Sequence, residues 1–378
     1  MIIINPGQSI QSIIDNNPTE SDFRLNPGIF DGLLVLNRQL SIQSNTSTRP
    51  TIISHSTDTI KIIGLYVQLN FLEVRNDNPD GTIIHQIGPR PRLIHLNILG
   101  SEKGQHRGIH ADGEGMLIDN CVVDDCWLIG RDAQALYGQD GTKNLLALDS
   151  YFGGAAQSIM FGGGDPSNES NIPQNITIQR CKLGKSLDKW SKAQIKCSLE
   201  LKNCKNFQLI DSELIGAGIS QGQGAYLMVF TPRNQGGNAP YSTVQNILIK
   251  NCVGSKAAGI ANFLGTDDSK ISGPLRNLTI DGFKATEIDG MKFGARGFIF
   301  LFNKGPQNII LDNIDVTCQN CAASGYFIPS KDGIAAINLV MNNIGVSKTK
   351  YGWKVDGAGS GWNEVKKVCS GLSMYDVT

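Results

Sequence analysis

The chain has 378 residues with 34 basic and 34 acidic side chains, so its formal net charge is zero. A neutral chain lacks the bulk positive charge that draws many proteins to nucleic acids, and we expect no nucleic-acid partner. No apolar run approaches the ~18 residues of a membrane-spanning helix, so we also expect no membrane attachment. Aromatic residues make up 7% of the chain and 43 residues are glycine, which favours short strands and tight turns.

The N-terminal segment carries one helical pattern. Ile10, Ile13 and Ile14 have helical spacing. Ser9 precedes them, and Pro18 ends the pattern. A single short amphipathic helix before a long array of strands is typical of a cap on the end of a solenoid.

A repeated motif begins at about residue 60, as in Asn175-Ile-Thr-Ile-Gln-Arg-Cys181 and Asn246-Ile-Leu-Ile-Lys-Asn-Cys252. Copies recur about every 30 residues, with alternating strands and no helical pattern, which is typical of a parallel β-helix. We predict an all-β, single-domain, right-handed parallel β-helix (a solenoid of about ten coils) with a short N-terminal capping helix. The predicted parts are a cap with the first coils (1–58), regular coils (59–346) and a C-terminal cap (347–378).

Equivalent residues of successive coils stack in this fold. The repeated asparagine is therefore predicted to form a ladder of side-chain amides at one corner. Cys121, Cys181 and Cys252 share one position in the motif and predict an inward stack of small residues. The odd total of nine cysteines argues against a complete disulfide framework. Cys318 and Cys321 have C-x-x-C spacing, but no second pair completes a zinc site.

A second family of strands precedes each copy of the motif and ends in polar residues. Because coils stack, these groups should form one ladder on one face. The charges concentrate in the middle coils, whereas a later coil offers Phe300 and Phe302, and this concentration predicts a functional site. In chain order the polar members are His110, Asp112, Gln139, Asp140, Asp165, Glu200, Lys202, Arg233, Asn234, Asp267 and Asp268.

The centre of this ladder is Ser198-Leu-Glu200-Leu-Lys202. Side chains alternate along a strand, so Glu200 and Lys202 should share the outer side while Leu199 and Leu201 enter the core. Such a pair is either a surface ion pair of little energetic value or a catalytic pair in a groove.

Two insertions flank the ladder. Residues 182–205 contain seven lysines, among them Lys196, against two acidic residues, which suits either an anionic ligand or a solvated loop. Trp190 in this insertion is a candidate for stacking on a sugar ring. Residues 216–239 present Arg233, Asn234 and Gln235, and long insertions in regular coils usually build binding sites.

Several of these segments resemble a large group of secreted bacterial proteins of the pectin-lyase-like, right-handed parallel β-helix superfamily. The resemblance spans about two-thirds of the chain; it implies the fold and leaves the chemistry open. Its matching segments include Gly130-Arg-Asp132-Ala-Gln134, Leu199-Glu200-Leu-Lys202-Asn203, Phe230-Thr-Pro-Arg233-Asn234-Gln235 and Leu264-Gly-Thr-Asp267-Asp268.

A local resemblance, carried by Lys202-Asn-Cys-Lys-Asn206 and by Arg233, is to the alginate lyase and chondroitinase B family of β-helix lyases. It implies that Lys202 takes the C5 proton of a uronate, that Arg233 assists the leaving oxygen, and that calcium neutralises the uronate carboxylate. The paired glutamates before the family's lysine are not kept, and only Glu200 stands nearby. Glu200, Asp165 and Asp140 are the candidate calcium ligands.

The sequence leaves three functions open. We favour a lyase that cleaves an anionic, uronic-acid polysaccharide by β-elimination, which needs a base, an acid and a means of stabilising the enolate. Glycoside hydrolysis needs two carboxylates flanking the bond, for which Glu200 would pair with Asp165 or Asp268. The third function is a non-catalytic glycan-binding spike or adhesin.

For the lyase, Lys202, Arg233 and Glu200 are the predicted catalytic residues. The partner is a polysaccharide, and the protein is expected to be a monomer or a homotrimer. Met1-Ile-Ile-Ile is too short and uncharged for a signal peptide, so we expect a secreted protein whose leader is missing or a virion-associated one. The predicted substrate-binding residues are Lys196, Asp165, Asn234, Gln235, Gln139, His110, Trp190, Asp267 and Asp268.

Overall fold

Parallel strand pairing carries each coil of the chain onto the next. The computed structural model describes residues 1–218, 224–294 and 296–377. Within them the paired strands lie in two sheets, and successive coils pair in parallel along both. The predicted all-β, parallel β-helix fold is confirmed.

The first sheet, here called the groove sheet, has twelve strands within the described residues. The repeated motif predicts about ten coils; one further strand lies before residue 59 and another after residue 346. The strands are Leu34–Leu36, Asp58–Ile62, Thr82–Gln86, Arg107–Ala111, Gln134–Gly138, Gln157–Phe161, Cys197–Leu201, Tyr226–Phe230, Gly259–Leu264, Phe298–Asn303, Ala323–Ile328 and Trp353–Val355.

The second sheet, the outer sheet, has 22 strands within the described residues. Early coils contribute two short strands each, whereas later coils contribute one long strand. Val244–Ala257 marks the change, because it pairs with both Cys204–Ile210 and Glu213–Ile215. The strands are Ile2–Ile4, Asp22–Leu25, Ile29–Asp31, Leu40–Ser44, Thr51–Ser54, Val67–Asn70, Glu73–Asn76, Arg92–Ile94, Asn97–Leu99, Leu117–Asp119, Val122–Cys126, Lys143–Leu148, Tyr151–Gly154, Gln174–Gln179, Lys182–Gly184, Cys204–Ile210, Glu213–Ile215, Val244–Ala257, Leu275–Asp289, Gln307–Gln319, Ala336–Val346 and Cys369–Val377.

Short helices accompany the first and last coils. The N-terminal helix begins after Ser9, whose hydroxyl accepts a hydrogen bond from the Ser12 backbone N–H, an N-cap that satisfies a free donor. Ile10 and Ile14 are buried in the core, as the helical spacing predicts. No helix of the described residues is long and apolar enough to cross a membrane. The helical elements are α1 (Ile10–Asn16), a 3-10 turn (Glu169–Asn171) and α2 (Trp362–Val368).

The predicted asparagine ladder runs along one corner. From Asn175 onward, each side-chain Nδ2 donates to the Oδ1 of the asparagine one coil earlier, at 2.8–3.0 Å. Each of these asparagines has φ between 51° and 58°, a left-handed conformation that asparagine tolerates better than most residues. The members are Asn144, Asn175, Asn206, Asn246, Asn277, Asn308 and Asn338.

The interior holds one continuous apolar core. Leu199 and Leu201 are fully buried in it, as their alternation with Glu200 predicts. Cys121, Cys181 and Cys252 are also buried, and the prediction that they point inward is confirmed. The aromatic residues of the later coil are a correction, since both are fully buried: Phe300 and Phe302 face the core, and Leu301 takes the outward position between them.

Candidate functional site

Two columns of side chains run along the outward face of the groove sheet. In the first column Glu200 is in register with Met160 of the preceding coil and Val229 of the following coil. The first column reads His85, His110, Tyr137, Met160, Glu200, Val229, Asn262, Leu301 and Tyr326. The second column contains Arg107, Gln134, Gln157 and Cys197, then Tyr226 with Gly259, and then Phe298.

Glu200 and Lys202 lie on the same side of the chain, as the alternation predicts. Lys202 follows the last residue of the strand Cys197–Leu201, and its Nζ lies 3.7 Å from Glu200 Oε1. Glu200 is only 1% exposed, whereas the Lys202 side chain is 16% exposed. The lysine is therefore the member of the pair that can reach a ligand, and the glutamate positions it.

Gln157 joins this pair to a second carboxylate and lysine. Its Nε2 donates to Glu200 Oε2 at 2.6 Å and to Asp132 Oδ2 at 3.2 Å. Lys196 Nζ contacts both oxygens of Asp132, at 2.8 and 2.9 Å. Gln134 fixes the amide by donating to Gln157 Oε1 at 3.0 Å. The hydrogen bond to the buried Glu200 carboxylate offsets part of the cost of removing its charge from water.

Arg233 approaches the same region from the loop after the strand Tyr226–Phe230. Its Nη1 lies 3.3 Å from Asp267 Oδ1 and 3.0 Å from Asp268 Oδ2. Lys304 Nζ holds the other oxygen of Asp268 at 2.8 Å. These contacts fix the guanidinium, whose side chain remains 26% exposed.

The two aspartates differ in what holds them ionised. Burial opposes the charge of Asp267, but backbone N–H donors from Ser269 and Asn234, together with the Arg233 guanidinium, lower its pKa below the ordinary value. Burial also opposes the charge of Asp268, and the Lys304 ammonium and Arg233 lower its pKa. Both groups are therefore carboxylates at neutral pH.

These groups line one open cavity of about 610 Å³. Five predicted site residues lie on its wall: Lys196, Glu200, Lys202, Arg233 and Asp268. The part of the lining beyond Glu200 along the groove sheet is largely aromatic and apolar. It was not predicted, because no pattern in the sequence distinguishes outward aromatic side chains from core ones. Its residues include Tyr226, Val229, Phe298, Leu301 and Tyr326, with Arg296 at the edge.

The remaining predicted binding residues do not line this cavity. Trp190 is 1% exposed, so the prediction that it stacks on a sugar is wrong. Its loop folds inward: the buried Lys185 Nζ donates to the carbonyl oxygens of Gly154 and Ala155 at 2.6 and 2.8 Å. Burial lowers the pKa of Lys185 to about 7. This contact braces the turn that leads into Gln157.

The lysine-rich insertion is largely neutralised by its own contacts. Five of its seven lysines lie against carboxylates, and two of those five, Lys196 and Lys202, line the cavity. This insertion therefore presents two of its lysines to the cavity. The other insertion, residues 216–239, includes residues 219–223, which lie outside the described residues; its described part brings Arg233 to the cavity.

Asp165 and Asn234 are structural braces rather than cavity residues. Asp165 Oδ2 accepts backbone N–H bonds from Gly236 and Asn238, both at 3.0 Å. Asn234 is 2% exposed and donates its Nδ2 to the Ile271 carbonyl oxygen at 2.8 Å. Together they shape the loop that presents Arg233.

Asp267, Gln235 and Gln139 also lie outside the cavity lining. Asp267 anchors Arg233 from behind, Gln235 is exposed, and Gln139 accepts a hydrogen bond from the Tyr137 hydroxyl. His110 lies three strands away from the cavity strand Cys197–Leu201 in the column. Its Nε2 lies 2.8 Å from Asp112 Oδ2, and burial lowers the pKa of this imidazole.

The proposed calcium ligands are not brought together. Glu200 is held by Gln157 and faces the Lys202 ammonium, Asp165 binds backbone amides, and Asp140 accepts from Ser167 at 3.0 Å. A calcium ion prefers six to eight oxygen ligands, which these separated groups do not offer. Across the described part of the chain, the potential ligands that cluster are instead His85, His110 and Asp112.

No protein-family model matches the chain, and no match is found among curated proteins. Similar solved structures share the fold. The catalytic domain of a GH87 α-1,3-glucanase in complex with tetrasaccharides aligns with a TM-score of 0.51 and 10% identity, covering 100% of this chain and 68% of that one. An alginate lyase from Paenibacillus sp. str. FPU-7 aligns with a TM-score of 0.48 and 12% identity, covering 99% and 97%. A mannuronic acid specific polysaccharide family 6 lyase from human gut microbiota aligns with a TM-score of 0.44 and 9% identity, covering 99% of this chain and 90% of that one.

Proposed function

We propose that the protein is a polysaccharide lyase that cleaves an acidic, uronic-acid-containing polysaccharide by β-elimination. The observation that carries this proposal is the convergence of Lys202 and Arg233 on one open cavity, with Glu200 holding the lysine. The cavity is a trough on the face of a solenoid, a shape that suits a chain-like substrate.

Elimination breaks the C5–H and C4–O bonds of the uronate and forms a C4–C5 double bond. Lys202 Nζ, as the exposed end of the Glu200–Lys202 pair, takes the C5 proton in its neutral amine form. Glu200 then pairs with the ammonium that this transfer forms. The electron pair released from C5 passes through the enolate of the uronate carboxyl group to expel the C4 oxygen. The departing oxygen takes a proton from water while the Arg233 guanidinium donates a hydrogen bond to it.

The negative charge on the enolate needs a cation nearby. We assign this role to Lys196, which lines the cavity with Glu200 and is held by both oxygens of Asp132. A fixed cation in a partly dehydrated site stabilises developing charge more than the same cation in water. No step of this reaction is routed through calcium, because the candidate ligands are engaged elsewhere.

Hydrolysis is the second candidate, since Glu200 and Asp268 line the same cavity. Two carboxylates flanking the bond are what a glycosidase requires. Glu200 is nearly inaccessible, however, and both residues are tied to cations. The lyase mechanism therefore agrees better than hydrolysis with the contacts of Glu200 and Asp268.

The test is a screen of polygalacturonate, alginate, chondroitin and neutral glucans, with two readouts. A lyase produces both a conjugated double bond, seen by ultraviolet absorbance, and new reducing ends; a hydrolase produces reducing ends alone. Lys202→Met should lower the lyase rate by about 10²–10⁴-fold, the usual contribution of a general base.

Lys250→Met is the matched control, because Lys250 is an exposed lysine on the outer sheet. It should leave the rate unchanged. Reducing ends without absorbance would move the proposal to the Glu200 and Asp268 pair. Binding without either product would leave a glycan-binding protein as the function.

A further inference from the structure

An apolar cluster forms part of the cavity wall on the outward face of the groove sheet, next to Glu200 and toward the C-terminal coils. Cys197, Tyr226 and Val229 form this cluster and Leu301 packs against it, separately from the main core. The first three are 1%, 5% and 6% exposed. The main apolar core of the solenoid is a separate cluster inside the coils. An apolar lining in a concave surface favours a ligand with an apolar face.

A pair of stacked rings continues this wall. Phe298 and Tyr326 are parallel within 3°, with ring centroids 4.0 Å apart. The Tyr326 hydroxyl donates to Asp356, which fixes the ring, and both residues line the cavity. Gly259 packs tightly against this wall, because a Cβ there would lie 2.2 Å from the Phe298 carbonyl oxygen and 2.7 Å from the Tyr226 ring. The wall is therefore preformed.

Arg296 stands at the edge of this wall with its charge available. It is exposed and lines the cavity, and among the described residues no carboxylate forms an ion pair with it. Lys196, Lys202 and Arg233 differ, because each of them contacts an aspartate or a glutamate. A planar guanidinium without a partner suits a carboxylate or sulfate, which it can hold through two hydrogen bonds.

The strand register fixes how far the far end of this wall, at Tyr326, lies from Glu200. Tyr326 is four strands beyond Glu200 in the first column, and parallel strands lie about 4.8 Å apart, so the separation is about 19 Å. A single sugar unit cannot span that distance. Any ligand that contacts both ends must be an oligosaccharide.

We propose that Phe298, Tyr326 and Arg296 form a separate sugar subsite, here called the distal subsite, which binds an acid-bearing unit of the same glycan chain. The ring pair takes the apolar face of the sugar, and Arg296 takes its carboxylate or sulfate group. The inference rests on the proposed function only in that the cavity holds a glycan. It deepens that function, because the protein should select long acidic chains over short ones.

Binding is measured by titration calorimetry in a Lys202→Met background, so that turnover does not consume the probe. The probes are saturated dimers and octamers of galacturonate and of mannuronate, and a neutral glucan octamer. Arg296→Gln and Phe298→Ala are expected to raise the Kd of a bound acidic octamer by about tenfold or more, the effect of losing a charge-assisted contact. Dimers should bind equally weakly in all variants.

Lys292→Gln is the matched control, because Lys292 is exposed in the same turn and does not line the cavity. It should leave the octamer Kd unchanged. Thermal unfolding of each variant separates lost binding from lost folding. Arg296 is exposed, so Arg296→Gln keeps the test valid even if Phe298→Ala destabilises the fold.

Equal octamer affinity in Arg296→Gln, Phe298→Ala and Lys292→Gln would overturn the distal subsite. Failure of every acidic octamer to bind would overturn it as well, and so would a neutral octamer that binds as tightly as the acidic ones. The lyase proposal fails separately. If the wild type releases no unsaturated product but octamer binding still depends on Arg296, the subsite stands and the lyase does not.

Discussion

Two rows of polar side chains run along the solenoid, and they are built in opposite ways. The corner row is the asparagine ladder, in which each amide bonds to the asparagine of a neighbouring coil, as between Asn206 and Asn175 at 2.9 Å. The groove row is the first column of the groove sheet, and around the cavity its neighbours differ: Glu200 lies between Met160 and Val229. A residue type that recurs at one position in successive coils stabilises the stacking of the coils. Where the residue type changes from coil to coil, the side chains are available to contact a ligand.

Polarity alone does not mark the site, as the N-terminal part of the groove row shows. His110 stacks on His85 with ring centroids 4.7 Å apart and contacts Asp112 at 2.8 Å. These groups satisfy one another, as the asparagines do. Lys202 and Arg233, by contrast, keep exposed ends in a cavity. The combination of broken repetition and an open cavity identifies the candidate site.

Substitution of Gln157, which supports the cavity residues of the groove row, is expected to have the largest effect on stability and on the reaction rate. Gln157→Leu removes the amide that donates to both Glu200 and Asp132. The buried Glu200 then loses its hydrogen-bond donor, whereas Asp132 keeps the Lys196 ammonium. We expect a loss of about 3 kcal/mol in the free energy of unfolding and at least a tenfold lower reaction rate. Chemical denaturation and the absorbance assay measure the two effects.

Gln208→Leu is the matched control, because Gln208 is exposed on the outer sheet. Its change in the free energy of unfolding should stay within about 0.5 kcal/mol. A Gln157→Leu variant as stable and active as this control would show that the carboxylates need no such donor.

The corner row should respond in stability and not in activity. Asn206 has φ of 55°, donates to Asn175 and accepts from Asn246. Asn206→Ala loses both hydrogen bonds and strains the backbone, so we expect a loss of about 2 kcal/mol. Asn206→Gly loses the same bonds without that strain and should cost about 1 kcal/mol. Denaturation midpoints give the order, and a glycine variant less stable than the alanine variant would refute it.

The parts of the fold that follow from local periodicity were predictable from the sequence. The recurring Asn motif predicts coils that stack, and stacking in turn predicts the amide ladder and the inward Cys121, Cys181 and Cys252. Strand alternation places Glu200 and Lys202 on one side. Each of these predictions requires only residues that are close in sequence or equivalent by repeat.

The network behind the lysines was not predictable in this way. Gln157 and Glu200 are 43 residues apart, and Lys196 and Asp132 are 64 residues apart, across an insertion of irregular length. The equivalent placement of Gln134 and Gln157 at the start of their strands was the signal that could have indicated an outward amide pair. Whether an aromatic side chain faces outward depends on the strand register, which the sequence motif does not fix. For this reason Phe300 was predicted to lie on the outward face, whereas it lies in the core.

Acid should weaken the support of Arg233 before it affects the corner row. Backbone N–H donors and Arg233 hold the pKa of Asp267 below its ordinary value of 3.8, against burial. The folded-state pKa is below the unfolded one, so ionised Asp267 contributes stability above pH ~4 that is lost as pH falls through the folded pKa. The melting temperature of the wild type should therefore fall more steeply than that of Asp267→Asn between pH 5 and 3. Parallel curves for the two proteins would contradict this assignment.

The smallest expected effect is that of a chelator. Asp165, Asp140 and Glu200 each accept hydrogen bonds from protein donors, and within the described residues they do not cluster as potential metal ligands. EDTA should leave both the initial rate and the melting temperature unchanged. Loss of the rate with EDTA, restored by calcium chloride and not by magnesium chloride, would contradict this reading. Such a result would mean that substrate binding rearranges these carboxylates around a calcium ion. The calcium ion, and not Lys196 alone, would then stabilise the negative charge of the enolate.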